Sequence, residues 1–218
     1  MNLKFITSVV FILLLPEVYS SGGNELTVAG VPGDRSIIVY TINNNSWLTL
    51  SGTTNVNAFE CRSGGAKTTG NLTVEAVFYD DRIALSDAVI LVDISSFDCR
   101  NPLINRDMQR AMGGGNGSVI EIRVVEVGLH EDMENKDNGK ITVNTHITIN
   151  GITNRKDLDV RWSREHDTGY RFEGSADLLM SHFSIDPPSP ALGLVKVDDR
   201  IKIDFNYIVR PDMISGLD

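Results

Sequence analysis

Four histidines, two cysteines and several carboxylate pairs are the residues of this chain that could do chemistry. Their spacing assembles very little of it. His130, His146, His166 and His182 are scattered, and none stands at the spacing by which two side chains share a zinc ion. The glycine-rich run from Gly113 to Gly117 lies after a candidate helix and before a candidate strand. That is the reverse of the order in which a dinucleotide loop works, and no Lys-Ser or Lys-Thr follows it. No G-x-S-x-G elbow presents a serine nucleophile. Asp80-Asp81, Glu131-Asp132 and Asp198-Asp199 sit in turn-like surroundings, where carboxylates are solvated. No catalytic residue, metal ligand or cofactor is therefore assigned, and the reading is of a protein that is not an enzyme.

The N-terminus sets the compartment in which the two cysteines must be read. Lys4 precedes an apolar run from Phe5 to Leu15, Pro16 ends it, and the small pair Ser20-Ser21 follows. This is the pattern of a cleavable secretory signal peptide over residues 1–20, too short for a membrane helix. Residues 21–218 then form one exported domain, periplasmic or secreted, with no stable membrane insertion after cleavage. In an oxidising compartment Cys61 and Cys99 are expected to form a disulfide.

Cleavage removes one charge of each sign, Lys4 and Glu17, so the mature chain keeps the formal charge of −9. An acidic surface repels phosphate backbones, which excludes nucleic acid as a natural partner. Anionic lipid headgroups are repelled as well, so contact with a lipid is expected inside a pocket. Oligomeric state is not legible.

The elements that must position any such pocket show period two. Ile141, Val143, Thr145, Ile147 and Ile149 share one face of a strand, with Thr142, Asn144, His146 and Thr148 on the other. Leu158, Val160 and Trp162 alternate in the same way, as do Tyr170, Phe172, Gly174 and Ala176, and Ile201, Ile203, Phe205 and Tyr207. Earlier strands are read at Ser36–Ile42, Trp47–Gly52, Leu72–Tyr79, Ala88–Ile94 and Val119–Val127. Asn43-Asn44-Asn45, Asp137-Asn138-Gly139, Asn150-Gly151 and Asp167-Thr168-Gly169 carry turn chemistry between them, so neighbouring runs are expected to pair in sequence. One short helix is expected over Asn105–Met112, stopped by the glycines that follow.

Strands in order with no helices between them point to an all-β fold, an up-and-down barrel or a sandwich. A closed barrel of about eight strands buries the apolar faces. Its interior is either filled by side chains or holds one ligand, and composition leaves that choice open. The candidate lining is Val143, Ile147, Ile149, Leu158, Val160, Trp162, Tyr170, Phe172, Phe205 and Tyr207.

The segments Leu50–Cys61, Phe97-Asp98-Cys99-Arg100-Asn101 and Asp107-Met108 resemble bacterial members of the YceI-like family. So do Ile147–Thr153, Ala176-Asp177, Phe183–Pro188 and Leu192–Asp199. Order and spacing carry the resemblance, which covers roughly Ser36 to Val209. It implies an extended lipocalin-like up-and-down β-barrel that binds a polyisoprenoid or similar lipid in its interior, and export to the periplasm. Two departures stand out: Ser184 replaces the usual glycine of an Asp-Phe-Gly-like turn, and Gly117-Ser118 replaces the common Tyr-Pro. The contrasting expectation is an exported stress-response or surface interaction module whose barrel core is solid.

Overall fold

The computed structural model describes residues 35–64, 72–113, 118–129, 137–165, 169–189 and 192–212. The signal-peptide segment, His130, His166, Glu131-Asp132, Gly117 and Asp167-Thr168 lie outside these described residues. The strands are β1 (Arg35–Ile42), β2 (Trp47–Thr54), β3 (Ala58–Gly64), β4 (Leu72–Phe78), β5 (Arg82–Ser86), β6 (Val89–Asp93), β7 (Phe97–Asp98), β8 (Val119–Gly128), β9 (Asn138–Ile149), β10 (Ile152–Glu165), β11 (Gly169–Leu179) and β12 (Val197–Asp212). Among the described residues there is a single α-helix, α1 (Pro102–Ala111), between β7 and β8. It starts three residues before the expected Asn105. Asn101 caps it by accepting from Leu103 N at 2.9 Å, and Pro102 takes the first-turn position, where its missing N–H costs nothing.

Every pairing among the described residues is antiparallel, and the order β1-β4-β5-β8-β9-β10-β11-β12 closes on itself because β1 also pairs with β12. This ring of eight strands is the expected up-and-down barrel. From β8 onward, neighbours in the sheet are neighbours in the chain. The β9–β10 hairpin turns on Asn150 and Gly151, at φ of 51° and 76°, the left-handed pair that an Asn-Gly turn supplies at low cost.

The Asn43-Asn44-Asn45 turn does not do what its composition suggests. β1 and β2 do not pair with each other. Both run along the same edge of β12, with Ile42 opposite Val209 and Trp47 opposite Asn206, so residues 43–46 bulge out against Tyr207 and Ile208. The buried Ser46 satisfies the bulge, its Oγ accepting from Ile208 N at 2.9 Å while Asn43 N donates to Ile208 O at 2.8 Å. β5 and β6 likewise divide one edge of β8 between them.

These two divided strands give the molecule two halves. Around β1, β4 and β5 the ring is closed by hydrogen bonds. In the other half β2 leads to β3 and the two-residue β7, while β6 stays on β8. Cys61 of β3 and Cys99, just after β7, are joined by the expected disulfide, and α1 packs Ile104, Met108 and Ala111 over the same half. Each half has its own apolar cluster, one around Leu48, Ile120, Phe183 and Ile203, the other around Ile38, Ile141, Val160 and Trp162. Phe205 packs against both.

Candidate functional site: an apolar interior

The alternating face turns inward wherever the ladder is regular, and in the ring half it surrounds a cavity of about 240 Å³. Eight of the expected lining residues stand in its wall: Val143, Ile147, Leu158, Val160, Trp162, Phe172, Phe205 and Tyr207. Ile149 faces a second cavity, of about 510 Å³, in the half beneath α1. Tyr170 is buried but lines neither cavity, its ring meeting that of Trp162 edge-on at 6.4 Å between centroids. Ile203 belongs to both walls, so the cavities lie end to end. From Val197 to Val209, β12 borders them along roughly 40 Å at the usual strand rise.

Among the described residues, the wall of the ring cavity contains no Lys, Arg, Asp or Glu. Its polar side chains are Tyr40, Thr145, Trp162 and Tyr207. Burial pushes the hydroxyls of Tyr40 and Tyr207 well above the ordinary tyrosine range, with the neighbouring Tyr170 adding to the effect at Tyr40, so both keep their protons. An apolar, uncharged wall suits a hydrocarbon and penalises any ion left without a partner. The second cavity reaches solvent. Val56 and Leu103 line it and are 66% and 60% exposed.

The sequence reading missed contributions from the first half of the chain. Tyr40 and Ile42 of β1 and Leu48 of β2 face the ring cavity. Their period-two spacing was visible, but only the closure of β1 onto β12 turns that face inward. In β8 the inward residues change parity, from Ile122 and Val124 to Val127, and Leu129 beyond the strand follows Val127. A register shift between Val124 and Glu126 is the cause. In the second cavity Phe183 ends a 3₁₀ turn, Met180–Phe183, and Ile185 follows it across Ser184, which stands at φ 53°. Glycine reaches that left-handed region without strain, which is the physical meaning of the departure at Ser184.

The chemistry-bearing residues are occupied elsewhere. Asp199 accepts from Ser181 Oγ at 2.6 Å and Ser181 N at 2.7 Å, and these bonds hold its carboxyl below the usual carboxylate range. Asp198 accepts from Thr53, and Asp81 pairs with Arg82 at 2.9 Å. His146 lies on β9 and His182 on an exposed turn. Among the described residues no three His, Cys, Asp or Glu side chains gather as metal ligands, and no helix is long and apolar enough to cross a membrane.

Phe205 lines the ring cavity and packs against both apolar clusters, and it stands opposite Gly174 across the ladder. A Cβ on Gly174 would lie 2.5 Å from Phe205 Cζ, closer than real contacts allow. Gly174→Val is therefore expected to drive the ring into the interior, destabilise the protein by about 1 to 3 kcal/mol and cut binding of a fluorescent apolar probe. Thermal melting and probe titration check both effects; unchanged probe binding would show that Phe205 does not control the interior.

The family model for the YceI-like domain matches residues 40–209. Among solved structures, the chain is similar to a polyisoprenoid binding domain from Saccharophagus degradans implicated in plant cell wall breakdown. The TM-score is 0.57 at 11% identity, covering 79% of this chain and 98% of that one. It is also similar to BcnA from Burkholderia cenocepacia, with TM-score 0.52, 13% identity, and coverage of 77% of this chain and 99% of that one. At these identities the likeness is one of fold. No curated protein matches the chain.

Proposed function

Since the chain belongs to the YceI-like domain family, we propose that it binds an elongated apolar lipid, an isoprenoid or similar amphiphile, inside the barrel and carries or stores it without catalysis. One observation bears most of the weight: a ring cavity with no charge among the described residues of its wall adjoins, at Ile203, a second, largely apolar cavity that opens to solvent. The polyisoprenoid binding domain with the same fold supports the same reading. A tail that buries several hundred Å² gains on the order of 25 cal/mol per Å² before the costs of association, enough for stable binding. The site of action in this reading is the periplasm or the exterior, reached through the signal peptide over residues 1–20. The Cys61–Cys99 disulfide agrees with export.

A solid barrel acting only through its surface is the contrasting reading, and cavities of about 240 and 510 Å³ speak against it. The test is direct. Mature protein purified from its native host is extracted with organic solvent, and the extract is analysed by mass spectrometry. A lipid close to one per chain is expected; an empty protein that also fails to take up an apolar probe would return the surface-module reading to first place.

A further inference from the structure

Two side chains in the ring cavity are donors without a partner. Trp162 Nε1 and Tyr207 Oη are both buried, and neither makes a hydrogen bond among the described residues. Their residues are 2% and 5% exposed, and both stand in the same cavity wall. Buried polar groups in folded proteins nearly always find partners, and Trp and Tyr in particular do so, so two orphans in one wall call for an explanation.

Their placement supplies one. Trp162 pairs with Gly139 on β9 and with Phe172 on β11, and Phe172 pairs with Tyr207 on β12, so one cross-strand row carries both donors. The backbones of β10 and β12 are roughly 10 Å apart at two strand spacings, and inward side chains of a closed ring converge from there. Trp162 is fixed in its pose by Gly139, where an added Cβ would come within 2.7 Å of the indole nitrogen. Both groups act as donors, the phenol being held protonated by burial. Among the described residues no cation lines the cavity. A carboxylate or phosphate at this level would be buried without a countercharge, whereas a neutral oxygen would accept a hydrogen bond at the cost of an ordinary dehydration.

We propose that the Trp162–Tyr207 level is the polar subsite of the barrel, holding an uncharged oxygen acceptor of the lipid, with the tail running past Phe205 and Ile203 toward the cavity beneath α1. The inference rests on the lipid-binding reading and sharpens it. The ligand is a neutral amphiphile of the ketone, ester or ether kind, seated head inward.

The test uses lipid-free mature protein and three probes of equal chain length, hexadecane, 2-hexadecanone and hexadecanoate at pH 8, each measured by displacement of N-phenyl-1-naphthylamine. Tyr207→Phe should weaken 2-hexadecanone about three- to tenfold and leave hexadecane unchanged. Trp162→Phe should weaken the ketone more than the alkane. Hexadecanoate should bind the wild type more weakly than the ketone. Melting of lipid-free Tyr207→Phe is a second readout: removing an unpaired hydroxyl should leave the midpoint level or raise it, and a marked fall would show that the hydroxyl has a partner in the protein and would overturn the proposal. Equal losses for ketone and alkane in both variants, or no loss in either, would also overturn it while leaving lipid binding intact. Failure of every probe to bind the wild type would remove both readings together.

Discussion

Val143→Trp is expected to leave the lipid-free protein folded with a stability change under about 1 kcal/mol, and to weaken lipid binding by on the order of 50-fold or more. Val143 stands on β9 opposite Leu158 on one side and Val127 on the other, and all three line the ring cavity. In a filled core the larger ring would force off-rotamer side chains and cost about 1 to 3 kcal/mol. Here it enters a space of about 240 Å³. The same space is what a bound tail needs. Excluding roughly 100 Å² of buried tail forfeits about 2.5 kcal/mol, hence the predicted loss of affinity. Thermal melting of delipidated protein and titration with an apolar probe measure the two effects separately. Strong destabilisation with unchanged probe binding would mean a packed interior.

Cys61→Ser should lower stability by about 4 kcal/mol, the chain-entropy value for opening a loop whose ends are 38 residues apart. In a domain of this size that corresponds to a fall of roughly 10 °C in melting temperature. The structure adds where the loss will be felt. The bond ties β3 to the short β7, and these strands share only the pairs Arg62–Asp98 and Ser63–Phe97. Cys99 N also donates to Asn105 Oδ1 at 2.7 Å, linking the cystine to α1. Without the bond, amide exchange should accelerate first across Phe97–Met112, the cover of the second cavity, while the β9–β10 hairpin stays protected. Thiol labelling gives an independent check: Cys99 should react in the variant and neither cysteine in the unreduced wild type. Equal labelling in both proteins would refute the bond.

The C-terminal half of the barrel was legible from residues alone, and for a local reason. Between Ile141 and Ile149, Leu158 and Trp162, and Ile201 and Tyr207, apolar residues recur at every second position except Thr145. A strand with one buried face must keep that parity. The Asn150-Gly151 turn fixes the β9–β10 register through left-handed backbone that those two residues adopt readily. The disulfide was legible too, since only one pairing of two cysteines exists within a chain. The short strands β3, β5 and β7 were not read. Five residues at Arg82–Ser86 or two at Phe97–Asp98 offer too few repeats to reveal a period.

Closure and emptiness were decided only by the tertiary structure. No local pattern in Val39–Ile42 names Val209–Asp212 as its partner; that pairing follows from the accumulated twist and stagger of the whole ring. The bulge at residues 43–46 places β1 and β2 on one edge of β12, against the appearance of their turn, because a buried Ser46 hydroxyl replaces the missing ladder bonds. Whether Val143, Trp162 and Phe172 meet in a solid core or border a cavity depends on the radius of the ring. Alternation along each strand determines which side chains point inward, whereas strand number and shear determine how much space they must fill.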